Sequence, residues 1–116
     1  MPYRPSAEMR KNAKRALEFR KTLPPSRKFG TPVGLARARD IANNVALSQD
    51  TILRMRSFLA RARSNYDMYL DEPDEEKRGS GYWAYLLWGG KEAISWVEDK
   101  IKKYRRAGEL NSTRRG

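Results

Sequence analysis

The chain contains no cysteine and no histidine. Without cysteine there is no disulfide framework and no thiolate zinc site. Without histidine there is no Ser-His-Asp or Cys-His catalysis, no imidazole metal ligand and no ordinary neutral-pH proton shuttle. Long apolar runs are also missing. The longest, Tyr82 to Trp88, falls far short of the ~18 residues that mark a membrane span. The opening residues Met1-Pro2-Tyr3-Arg4-Pro5 lack the apolar stretch of a secretory signal. Strand patterning is missing too, since no run of alternating β-branched residues occurs. These absences point to a soluble, intracellular protein without catalysis, metal or cofactor.

What the chain does have is positive charge. Its 116 residues carry 25 Lys and Arg against 14 Asp and Glu, a formal net charge of +11. That length suits one domain with a core that needs no cross-link. Concentrating such charge on a small fold costs self-repulsion, which a polyanion relieves. Nucleic acid is the commonest polyanion; an anionic membrane surface and an acidic protein patch are the alternatives. Five acids (Asp71, Glu72, Asp74, Glu75 and Glu76) sit within residues 71–81. Setting those five aside, with Lys77 and Arg78, leaves 23 basic and 9 acidic residues elsewhere. The segment 71–81 reads as a polar, solvated linker. Its acids do not follow the spacing of a calcium loop.

Periodicity predicts an all-α bundle of four to five helices. Residues 1–5 form an N-terminal arm, 6–106 a single helical domain and 107–116 a disordered basic tail. Ser6 caps a first helix that proline ends at Pro24-Pro25. Met9, Ala13, Ala16, Leu17 and Phe19 form its apolar stripe, opposite a basic face with Lys11 and Lys14. Thr31-Pro32 opens a second helix with Leu35, Ala38, Ile41 and Ala42 inward, Arg37 outward and Arg39 nearer the buried edge. Asn43-Asn44 stops it, because asparagine tolerates left-handed geometry. Ser48 caps a third helix with Ile52, Met55, Leu59 and Ala62 inward, ending near Asn65 or extended by the segment Tyr66 to Leu70. Tyr82 to Trp88, apolar all round, forms a buried helix closed by Gly89-Gly90. The last helix, Lys91 to Arg106, buries Ala93, Val97, Ile101 and Tyr104 with Trp96 at the edge.

The second and third helices meet through Ile41-Ala42, Leu47-Ser48, Thr51-Ile52 and Arg54. This pattern resembles the helix-turn-helix of bacterial and phage repressors. The resemblance implies that small Ala42 lets two helices cross closely, that Leu47 anchors the turn and that Ser48 caps a recognition helix. Ala46 departs from the family, which has glycine there for a positive φ. More broadly, the blocks Gly34 to Asp40, Leu47 to Arg61 and Gly81 to Gly90 look like a module of small phage-encoded proteins and phage head-region gene products. That likeness implies a viral origin, a location in the host cytoplasm or nucleoid or else in the virion, and no particular activity.

On duplex DNA, Gln49, Arg54, Ser57 and Arg61 are the candidates to face bases or phosphates. Lys11, Lys14, Arg37, Lys102 and Arg105 would add sequence-independent phosphate contacts. Trp83, Trp88, Trp96, Tyr82 and Tyr85 are candidate stacking platforms for unpaired bases, with core packing the expected role. The rival class is a structural or adaptor protein that offers its basic surface and an exposed tryptophan face to an acidic protein partner. Oligomeric state is open.

Overall fold

The first three long helices start where capping chemistry puts them. The computed structural model describes residues 1–109, and the last part of the expected tail, 110–116, lies outside the described residues. Helix α1 spans Ala7–Lys21, and its Ser6 hydroxyl accepts the Met9 N–H at 3.3 Å. Met9, Ala13 and Ala16 recur on one face and are fully buried. The chain then leaves the helix through a single 3-10 turn at Pro25–Arg27. Helix α2 spans Pro32–Ala42, with Thr31 accepting the Gly34 N–H at 3.0 Å. Asn44 follows at φ 59, the left-handed stop expected of asparagine. Helix α3 spans Gln49–Asp67, capped by Ser48, and carries its buried stripe past Asn65 to Tyr66. Helices α4 (Ser80–Leu87) and α5 (Glu92–Arg106) complete an all-α fold.

The shortest helix organises the others. Helix α4 packs against α1, α2 and α3, while α1 also packs on α2, and α3 on α5. Because α4 is surrounded, it must be apolar on every side, which explains its lack of an amphipathic pattern. Tyr85 at its centre is fully buried, and its hydroxyl donates to the Leu59 carbonyl at 3.0 Å. Tyr66 stacks on Tyr82 at 5.3 Å and on Tyr85 at 4.6 Å between ring centroids. Burying each such side chain stabilises the fold by roughly 1.5–3 kcal/mol.

The joint between α4 and α5 is a backbone reversal at Gly89 (φ 105) and Gly90 (φ 75). Asn12 of α1 closes over it, donating its amide to the Gly89 carbonyl at 2.9 Å and to Glu92 Oε1 at 2.7 Å. A Cβ on Gly90 would lie 2.5 Å from that amide nitrogen, so both conformation and space call for glycine.

Two segments are more structured than the sequence suggests. The N-terminal arm is a strap: Tyr3 and Leu47 exchange backbone hydrogen bonds at 3.0 and 2.7 Å, and Arg4 donates to the Asn44 carbonyl at 2.6 Å. The acidic segment 71–81 is no free linker. It folds a 3-10 turn at Glu75–Lys77, whose Glu75 carboxylate accepts from Arg15 of α1 and from the Tyr82 hydroxyl at 2.5 Å. Burial pushes the Glu75 pKa up, but the bonds from Arg15 and Tyr82 outweigh it and hold the carboxyl below the ordinary glutamate range. Composition favours solvation here; two partners, Arg15 sixty residues away and Tyr82 seven, override it.

The arginines of α2 also exchange their expected places. Arg37 is largely buried, with 16% of its side chain exposed, whereas Arg39 is exposed. The inward face of α2 centres on Gly34, Ala38 and Ile41, not on Leu35 and Ala42, which are only half-buried. That rotation turns Arg37 toward α4. Among the described residues no helix is long and apolar enough to cross a membrane.

Candidate nucleic-acid interface

Because Ile52, Met55 and Leu59 face inward, Arg54, Ser57 and Arg61 project together from the outer face of α3, and all three are exposed. They form one wall of a cleft of about 450 Å³. Thr31 and Val33 at the start of α2 form the other wall, with Phe58 and Trp88 beneath. Trp88 sits directly after α4 and is 8% exposed. Phe58 stacks on its ring at 4.5 Å and 14°. Gly34 makes room for it, since a Cβ there would meet the indole nitrogen at 3.2 Å. The Arg37 guanidinium lies 5.9 Å over the same ring. Arg37 also reaches Asp40 at 3.4 Å, and its Nε is buried with no hydrogen-bond partner among the described residues. Arg37 therefore supports the cleft floor instead of offering an open surface charge. Arg54 lies 3.9 Å from Asp50, with both side chains mostly exposed, a pair that contributes at most about 1 kcal/mol.

This cleft does not stand alone. A second, of about 280 Å³, shares Thr31, Phe58 and Trp88 with it. A third, of about 400 Å³, shares Lys28, Phe29 and Ser80 with the second. Together they form a groove along the faces of α3 and α4 and the 26–31 loop. Arg27, Lys28, Lys77 and Arg78 line one end, and Arg54 and Arg61 the other. Glu76 is the one acid among the described residues that line it. Two of these cations also hold structure. Lys28 Nζ donates to the Arg20 carbonyl at the end of α1 at 2.7 Å, and Arg78 Nε donates to the Glu72 carbonyl at 2.9 Å.

The four cations at that end escaped sequence reasoning. Two signals mark them: each is half of a basic pair, Arg27-Lys28 or Lys77-Arg78, and each pair stands at most two residues before a glycine. The surrounding acids masked the second pair.

The remaining sequence candidates do not gather here. Gln49 is the first residue of α3, half-buried and outside the cleft lining. Lys11 and Lys14 on α1, and Lys102 and Arg105 on α5, are exposed and form no ion pair among the described residues. A separate cleft of about 380 Å³ between α1 and α2 carries Arg20, Lys21 and Arg39, and shares no lining residue with the groove.

The connection between α2 and α3 departs from the motif it resembles. Six residues, 43–48, separate the helices, where a helix-turn-helix turn takes about 3–4. The left-handed residue is Asn44, and Ala46 has no positive φ. The close crossing expected at Ala42 does not occur: the backbones of α2 and α3 do not pack together, and α4 touches both instead. Leu47, 2% exposed, does anchor the turn, and Ser48 does cap α3, with its hydroxyl accepting the Thr51 N–H at 3.2 Å.

The aromatics are core. Trp83 is 4% exposed, Tyr82 and Tyr85 are buried, and Trp96 is half-buried on α5, so the tryptophans form no shared exposed face. Among the described residues, no group of three or more Asp and Glu side chains is arranged to hold a metal ion. The chain matches no protein-family model, no curated protein and no solved structure.

Proposed function

We propose that this protein binds nucleic acid by docking phosphates along the groove that runs from Arg27 to Arg61. The observation that carries this is charge: cations at both ends, with Glu76 the one acid among the described lining residues. A concave, predominantly cationic surface focuses its field and attracts a polyanion from solution. Binding then releases the counterions condensed on the phosphates, which supplies most of the sequence-independent affinity. Thr31 and Ser57 add hydroxyls that donate or accept beside the arginines. Helix-turn-helix readout is not needed, since α2 and α3 do not pack as that motif requires.

One observation favours the adaptor alternative. Val33 is 54% exposed at the mouth of the cleft over Trp88, and an apolar side chain of an acidic protein partner fits such a site.

Fluorescence anisotropy of labelled oligonucleotides across a salt series separates the two. Nucleic-acid docking gives affinity that falls log-linearly as salt rises. No binding at 20 mM salt, on the order of the lowest practical ionic strength, rules it out and leaves the adaptor.

A further inference from the structure

We infer that the groove takes an unpaired nucleic-acid strand, with its bases against the apolar lining formed by Phe58, Val33 and Trp88 and its phosphates along Arg27, Lys77, Arg54 and Arg61. This rests on the nucleic-acid reading and narrows it to one substrate class.

Shape is the first reason. Duplex readout needs a protein element that projects into a major groove about 12 Å wide. Here Arg54, Ser57 and Arg61 are instead the wall of a recess, faced across it by Thr31 and Val33. A duplex meeting this surface touches the rim and leaves the recess empty. A single strand enters it.

The second reason is the composition of the recess. Its floor is apolar and partly aromatic, and hydroxyls and guanidiniums stand at its edge. That combination matches an unpaired base, which has an apolar face, a polar edge and a phosphate beside it. In a duplex the base faces are hidden by stacking. Grooves that bind single strands combine a cationic track with exposed ring surface in the same way. Phe58, which lines two of the three adjoining clefts, is half-buried and so is not closed off from solvent.

The third reason is the line of charge. Arg54 and Arg61 are two turns apart, roughly 10 Å along α3. Arg27 and Lys77 continue the track at the far end of the groove. Charges spaced along a line suit a chain of phosphates better than a lone nucleotide.

The test compares a labelled single-stranded oligothymidylate with a duplex of equal length, in one buffer, across a salt series. The proteins are the full chain, R54A/R61A, R27A/K77A and a charge-matched control, K21A/R39A. All six side chains are exposed, and thermal melts check that each variant folds. The single strand is expected to bind at least about tenfold tighter than the duplex. Each groove pair is expected to flatten the log–log salt slope by about 1.4, because each lost contact to a single strand removes about 0.7. The control is expected to change the slope by less than half of that. Equal or tighter duplex binding overturns the unpaired-strand inference while leaving nucleic-acid docking intact. A response to one groove pair and not the other overturns the continuous track. Equal effects of control and groove variants overturn the groove as the site. No binding of either oligonucleotide sinks the functional reading itself.

Discussion

Replacing Glu75 with glutamine should loosen the acidic segment in a way that depends on pH. The carboxylate accepts from the Arg15 guanidinium and from the Tyr82 hydroxyl, joining the 3-10 turn to α1 and α4. Glutamine keeps the shape and removes the charge. A hydrogen bond to a charged group contributes about 1.5–3 kcal/mol. The Arg15 and Glu75 side chains are 40% and 38% exposed, so solvent screening cuts that substantially. A net loss of about 1.5 kcal/mol is expected, or roughly 6 °C in Tm for a domain of this size. Glu75 has a lowered pKa in the folded protein, because the bonds from Arg15 and Tyr82 outweigh the burial that opposes them. Its stabilising contribution is therefore fully present above the ordinary glutamate value of 4.5 and is lost as pH falls through the lowered folded value. Circular-dichroism melts at pH 7 and at successively lower pH read this directly. The gap between parent and E75Q should be widest at pH 7 and close on acidification. A gap that is constant with pH, or no gap at pH 7, refutes the charge-based pin.

Three further outcomes test the fold. Gly90→Ala places a Cβ against the Asn12 amide in a left-handed backbone, and should cost about 3 kcal/mol in denaturant unfolding. Asn44→Gly should be neutral or slightly stabilising, while Asn44→Ala should cost about 1 kcal/mol, because alanine at φ 59 has no side-chain compensation. Tyr85→Phe removes a buried hydroxyl bonded to the Leu59 carbonyl and should cost about 1 kcal/mol with an unchanged far-UV spectrum.

Much of the fold is local chemistry, and local chemistry is legible. Ser6, Thr31 and Ser48 each cap the helix that follows, because a side-chain oxygen three residues ahead of an orphan N–H satisfies it whatever lies beyond. The stripe Ala93, Val97, Ile101 and Tyr104 is buried as its spacing predicts. Asn44 and the Gly89-Gly90 pair stop their helices in left-handed conformations that their own residue types favour. Part of the candidate site is legible for the same reason: once one stripe of α3 is buried, Arg54, Ser57 and Arg61 must share the opposite face.

What the residues determined by themselves is therefore the helices, their ends, their inner faces and the surplus of positive charge. Which helices touch, and what gathers between them, was decided only by tertiary packing. Arg37 turned inward because α2 packs on α1 and α4 and not on α3, a choice made by the fit of distant apolar surfaces. Glu75 met Arg15 across 60 positions of chain, and that contact ordered a segment whose composition favours solvation. The groove brings together the 26–31 loop, the segment before α4 and the outer face of α3. Hydrogen bonding and backbone preference act over a few residues, so they can be read along the chain. A surface concavity is a property of three segments at once, and no one of them carries its pattern.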